Sequence, residues 1–182
     1  MVTIDLITGF LGSGKTTFLK KYAEYLMDQG LHIGILENDF GAINVDMLML
    51  HELRGDQCEL EMIAGGCDAE SHRRRFRTKL ISMRMCGYDR VLVEPSGIYD
   101  VDEFFDVLRE DPLDQWYEIG NVITILDARL EDNLSEQADY LLASEAANAG
   151  KVILSHADAA TREQCEDCLL YTSPSPRDTE RS

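Results

Sequence analysis

Short apolar runs alternate along the chain with longer stretches of helical period. Residues 2–8 (VTIDLIT) are rich in β-formers, and the spacing of residues 17–27 predicts a helix that stops at Gly30. Residues 31–37 (LHIGILE) read as a second strand and residues 58–63 as a weaker third. Residues 70–86 read as a helix ended by Gly87, residues 90–94 (RVLVE) as a short buried strand, and residues 101–108 as the start of another helix. Residues 121–127 (NVITILD) predict a strand, residues 135–149 a helix stopped by Gly150, and residues 151–155 (KVILS) a last strand. Continuous apolar strands separated by helices indicate a sheet covered on both faces. The expected architecture is therefore α/β, with a doubly wound, mostly parallel sheet. Ligands of such sheets bind beyond the carboxyl ends of the strands. The residues that follow each strand are thus the place to look for chemistry.

The first strand runs into Gly9-Phe10-Leu11-Gly12-Ser13-Gly14-Lys15-Thr16, which fits the phosphate-binding pattern G-x-x-x-x-G-K-[ST] between a strand and a helix. Gly9, Gly12 and Gly14 let the backbone approach phosphates and turn successive N–H groups toward them. The helix N-terminus adds partial positive charge. Lys15 is expected to reach the β- and γ-phosphates and the Thr16 hydroxyl to ligate Mg²⁺, with Ser13 and Thr17 completing the nucleotide-binding set. Residues 91–97 (VLVEPSG) place Glu94 at a strand end and Gly97 three positions on. An acid there holds Mg²⁺ or orients water, and the glycine N–H can sense the γ-phosphate. Glu37, in Glu37-Asn38-Asp39-Phe40-Gly41, would face the same sheet edge and could join the magnesium shell, with Asp46 a weaker candidate on the same connection. After the last strand, residues 155–158 (SHAD) stand where GTPases read the base, usually with N-K-x-D. Asp158 would accept from the guanine N1–H and exocyclic amine, while Ser155 and His156 replace the usual Asn and Lys.

The chain has 182 residues, enough for one domain with a real core. A net charge of −17 disfavours nucleic acid as a partner. It does not disfavour a nucleotide, for which a local nest of N–H groups suffices. No apolar run reaches the roughly 18 residues of a membrane span, and no secretory signal is visible. The five cysteines are odd in number and irregularly spaced, which points to a reduced, cytoplasmic setting. The composition changes abruptly at Cys168. Residues 168–178 (CLLYTSPSPRD) resemble the translated read-through of a transposase-based sequencing-library adapter. The expected division is a P-loop domain over residues 1–167, incomplete at its C-terminus, followed by a non-native tail over residues 168–182.

The segments ITGFLGSGKTT (7–17), ENDFG (37–41), GGC (65–67), EPSG (94–97) and SHAD (155–158) resemble the CobW/HypB/UreG family of P-loop GTPases, and its CobW-like branch in particular. The resemblance spans residues 1 to about 158. It implies GTP hydrolysis coupled to delivery of a metal ion or metal cofactor to a client metalloenzyme, and in CobW-like proteins a separate C-terminal domain. One departure matters. The branch carries G-C-x-C-C, whose thiols bind the metal, whereas this chain reads Gly66-Cys67-Asp68-Ala69-Glu70. A mixed site from Cys67, Glu70 and His72, with Cys58 as a further donor, is chemically possible for zinc or a similar ion. A glycine turn with a buried cysteine explains the same residues without metal. The basic run 72–79 (HRRRFRTK) reads as a solvated helix face over an apolar stripe of Phe76, Leu80 and Met83, or as an anion- or partner-docking surface. Two other readings of the chain stay open. One is a nucleotide-dependent regulatory or scaffold module without metal cargo. The other is a P-loop small-molecule phosphotransferase. The metal, the client and the oligomeric state are not legible in the sequence.

Overall fold

The computed structural model describes residues 1–10, 12–39, 45–64, 69–95, 101–129 and 136–170. Six parallel strands form one sheet in the order β3-β2-β4-β1-β5-β6: β1 (Val2–Gly9), β2 (Ile33–Asp39), β3 (Cys58–Ala64), β4 (Arg90–Pro95), β5 (Tyr117–Asp127) and β6 (Lys151–Ser155). The helices are α1 (Lys15–Asp28), α2 (Val45–Leu50), α3 (Ala69–Arg84), α4 (Val101–Leu108), α5 (Leu113–Trp116), α6 (Glu136–Asn148) and α7 (Arg162–Leu170), with a 3₁₀ turn at His51–Leu53. The doubly wound parallel sheet expected from the hydrophobic pattern is present. From β1 the chain steps out to β2 and β3 on one side, returns through β4, and then crosses to β5 and β6 on the other. Strand order therefore reverses around β1, which places a ligand crevice at the end of that strand.

The pleat sends alternate residues to two cores. Ile4, Leu6, Val91 and Val93 join Phe76, Leu80, Phe104 and Val107 of α3 and α4 on one face. Ile7, Ile35, Leu92 and Ile125 join Leu19, Ala23 and Leu26 of α1 and Leu50 of α2 on the other. Burial on both faces is why these strands lack polar alternation.

Three helices and part of a strand escape the sequence pattern. Helices α2 and α5 are too short to show a period. Strand β5 begins at Tyr117 because its first residues pair with Val2, Thr3 and Ile4, with a register shift between Ile4 and Leu6. Residues 118–120 (EIG) are exposed there, and a lone Ile119 between Glu118 and Gly120 makes no apolar run. Helix α7 opens with a capping box in which the Thr161 hydroxyl accepts from Gln164 N at 3.2 Å and Gln164 Oε1 accepts from Thr161 N at 2.8 Å. That T-x-x-Q signal was available in the sequence. The helix continues three residues past Asp167, across the expected start of the tail. Among the described residues β6 pairs with β5 alone, and Val152, Ile153 and Leu154 remain partly exposed.

Candidate functional site

The loop after β1 has the backbone geometry that a phosphate site needs. Gly9 has φ +137°, and a Cβ there would overlap the Ile125 carbonyl oxygen of β5, so a side chain is excluded at the strand exit. Gly14 precedes α1 in the left-handed region, at φ 91° and ψ 20°. No side chain caps the first turn of α1 and no acid lies in it, so its N–H groups are left for an anion. Ser13 N and Lys15 Nζ donate to the same Phe10 carbonyl, at 3.1 and 3.0 Å, which folds the lysine back over the loop. Ser13, Lys15 and Thr16 are buried, whereas Gly12 and Thr17 are exposed.

The magnesium candidates converge on the same edge. The Thr16 hydroxyl donates to Glu94 Oε1 at 3.1 Å, with both residues buried. Glu37 and Glu94 are direct partners in the parallel register of β2 and β4, and Glu37 is only 3% exposed. A hydroxyl and two carboxylates form a hard oxygen set of the kind Mg²⁺ prefers. Asp46 falls within α2, while Gly97, Phe40 and Gly41 lie outside the described residues.

The base-reading candidates also reach this edge. Ser155 Cβ lies 3.8 Å from where a Cβ on Gly14 would stand, so the loop after β6 abuts the P-loop. His156 adopts φ 52°, the left-handed region, and its Nδ1 lies 3.1 Å from Asp127 Oδ2. Asp127 is held further by Arg129, through Nε at 3.1 Å and Nη2 at 2.9 Å. The Arg129 guanidinium, and to a lesser degree His156, hold the Asp127 carboxyl below its ordinary value. Asp158 is exposed, with Arg129 in reach of its charge. Sequence reasoning did not single out Asp127 and Arg129, although an Asp-x-Arg directly after an apolar strand was there to be read.

The proposed thiol station is less compact. Cys67 lies outside the described residues. Glu70 is exposed in the first turn of α3, and His72 is buried with Nδ1 3.5 Å from Glu103 of α4. Cys58 does not join them. It opens β3 six residues before Ala64, about 20 Å away along the strand. Burial there pushes its thiol up to about 11, and a protonated thiol is a poor metal ligand. Among the described residues no group of three His, Cys, Asp or Glu side chains could hold a metal ion. In the basic run, Phe76, Leu80 and Met83 are buried as the apolar stripe requires. Arg73 and Arg77 pair with Glu110, and Lys79 with Glu61. Arg74, Arg75 and Lys79 line a groove of about 480 Å³ beside Met62 and Ile63 of the edge strand.

These features define a P-loop nucleotide-binding fold of the doubly wound class. Crystal structures with the same fold include the Zn(II)-bound YjiA GTPase from Escherichia coli (TM-score 0.59, 20% identity, covering 92% of this chain and 54% of that one). Another is the signal recognition particle receptor FtsY from Elizabethkingia anophelis in complex with GDP (TM-score 0.65, 17% identity, 96% and 54%). The profile of the CobW/HypB/UreG nucleotide-binding domain matches residues 3–175, and the chain belongs to that family. It is similar to the zinc chaperone YeiR of Escherichia coli K12, at 28% identity over 90% of this chain and 49% of the relative. It is also similar to the zinc chaperone YjiA of the same strain, at 29% identity over 87% and 50%. The chain thus spans about half the length of these curated relatives. No described helix is long and apolar enough to cross a membrane.

Proposed function

We propose that this chain binds GTP with Mg²⁺ at residues 9–17, hydrolyses the γ-phosphate, and uses the two nucleotide states to control delivery of a metal ion to a client metalloenzyme. The observation that carries this reading is the Thr16–Glu94 contact, which joins the end of the P-loop to the acid of β4 beside Glu37. Thr16, Glu94 and Glu37 would hold Mg²⁺, which when bound neutralises phosphate charge. Lys15 would bind the β- and γ-phosphates, and Gly97 would sense the γ-phosphate through its N–H. Asp158 would select guanine, with His156 braced by Asp127 in place of the usual lysine. Little covalent chemistry falls to the protein, so rate comes from positioning and charge neutralisation. Zinc enters as cargo, in line with the zinc chaperones among the relatives. Cys67, Glu70 and His72 are its candidate ligands.

A second reading is a nucleotide-dependent module whose cargo is not a metal, in line with Ala69 and Glu70 standing where the CobW-like motif carries its second and third thiols. Calorimetric titration with GTP and with ATP, each with Mg²⁺ and each repeated with Zn²⁺, separates the two. GTP-selective binding that strengthens with zinc supports the metal carrier, and binding indifferent to zinc supports the second reading. Phosphate release from GTP without an acceptor excludes a phosphotransferase. Lys15→Ala should abolish nucleotide binding, and undiminished GTP affinity in that variant would refute the P-loop assignment.

A further inference from the structure

The first turns of α3 and α4 bring together two metal-ligating side chains that are distant along the chain. His72 ends the first turn of α3 and is only 3% exposed. Glu103 lies in the first turn of α4. Nδ1 of His72 stands 3.5 Å from Oε1 of Glu103, with the histidine side chain buried and the glutamate side chain partly open to solvent. Helix α3 follows β3 and helix α4 follows β4, so both turns lie toward the sheet edge that carries Glu37 and Glu94.

Neighbouring contacts hold the two helices in this register. The rings of Phe76 and Phe104 pack with centroids 6.1 Å apart. Arg73, whose charge reaches Glu103, is engaged by Glu110, to which it donates through Nε at 3.2 Å and Nη2 at 2.6 Å. Within the pair, Oε1 of Glu103 is buried and accepts no hydrogen bond from any described residue. A buried acceptor left unmatched is costly, and a bound cation is one remedy. Two ligands each about 2.0–2.1 Å from one Zn²⁺, at the tetrahedral angle, stand about 3.4 Å from each other. The separation of 3.5 Å between Nδ1 and Oε1 is close to that spacing. Imidazole nitrogen and carboxylate oxygen are both ordinary zinc donors.

We propose that His72 and Glu103 are two ligands of a divalent transition-metal site between α3 and α4, with zinc as its occupant. This site rests on the metal-carrier reading above and deepens it by naming a ligand, Glu103, that lies outside the thiol motif. Among the described residues no third His, Cys, Asp or Glu completes a cluster with them. Water can take the remaining positions. An ion held by two protein donors exchanges its other ligands readily, which suits cargo better than a structural metal. His72 would offer the Nδ1 lone pair of its neutral imidazole, and Glu103 would open the site to solvent.

The test is competition titration of Zn²⁺ against a chromophoric chelator, using the full chain, Glu103→Gln and Glu103→His. Partners one shell removed from a metal are worth about tenfold to a hundredfold in affinity, so loss of a direct ligand in Glu103→Gln should weaken zinc binding by at least about tenfold. Glu103→His ends the carboxylate's ion pair but supplies another zinc donor, and should recover most of that loss. X-ray absorption of the zinc-loaded proteins should show one more imidazole in Glu103→His than in the wild type. An ion pair that merely fastens α3 to α4 predicts equal effects of the two substitutions and no change in the zinc ligands. If Glu103→Gln fails to fold, as circular dichroism would show, His72→Gln takes its place. Zinc affinity unchanged in Glu103→Gln, or lost equally in Glu103→His, would overturn the proposal while leaving the metal-carrier reading intact. No zinc binding by the wild type would overturn both.

Discussion

Asp5 is a buried acid that ties several elements of the fold together, and Asp5→Ala should destabilise the protein without touching its chemistry. The carboxylate is fully buried in the amino half of β1. It accepts from Arg90 Nη1 at 2.7 Å, the Tyr22 hydroxyl at 2.8 Å and Asn121 N at 2.6 Å. Tyr22 in turn accepts from Arg90 and from Asn121 Nδ2, each at 3.0 Å. One acid thus joins β1, α1, β4 and β5. Truncating one partner of a buried pair typically costs about 3–5 kcal/mol, because the other charge is stranded. The Arg90 side chain is 22% exposed and can recover some water, which places the expected loss near the low end, about 3 kcal/mol. With a urea slope of about 2 kcal/mol per molar, the midpoint should fall by about 1.5 M. Fluorescence of Trp116, the single tryptophan, on the helix leading into β5, reports the transition. Gly120→Ala probes the same network, since a Cβ there would overlap Asp5 Oδ1. The double variant should therefore cost less than the sum of the singles. At temperatures where Asp5→Ala is folded, its GTP affinity should stay within about twofold of wild type, because the network lies at the strand ends opposite the P-loop. A loss below about 1 kcal/mol, or strict additivity with Gly120→Ala, would refute this account.

Gly9→Ala should cost about 1–3 kcal/mol in urea unfolding and remove GTP binding in a filter or calorimetric assay, since φ +137° is strained for alanine and its Cβ meets the Ile125 carbonyl. Thr16→Ala and Glu94→Gln should each slow phosphate release from GTP by about a hundredfold or more, and should blunt the magnesium dependence of nucleotide binding more than binding without the ion. Unchanged magnesium dependence in either variant would remove that residue from the metal shell. Cys86 is exposed, whereas Cys58 is buried with its thiol raised to about 11. Only about one Cys58 in a thousand is thiolate at pH 8, so mass spectrometry after brief alkylation should find Cys86 modified and Cys58 intact until the protein is unfolded.

The amino-acid sequence by itself determined the parallel α/β architecture, because six short strands, most of them continuous apolar runs, separated by amphipathic helices can bury both faces in few other ways. It also carried the phosphate loop, since the glycines, lysine and threonine act through backbone geometry encoded within eight consecutive residues. That Glu37, Glu94 and Asp158 stand at or just past strand ends was legible for a related reason, since parallel strands deliver their ends to one edge. What the sequence could not convey is which residues distant along the chain share a charge or a hydrogen bond. Asp5 reads as a polar interruption of β1 until the sheet order brings Arg90 and Asn121 beside it. Glu145 reads as an ordinary helix acid, although its place between Leu142 and Ala146 on the buried stripe was a local hint. Only the packing of α6 against β1 and β5 buries it over the sheet beside Thr124. Cys58 seemed free to join Glu70 and His72 because spacing says nothing of direction. The strand carries Cys58 to the far end of the sheet. Backbone chemistry is local and survives in one dimension, whereas electrostatic partnership depends on three-dimensional distance and on exclusion of water, which only the assembled fold supplies.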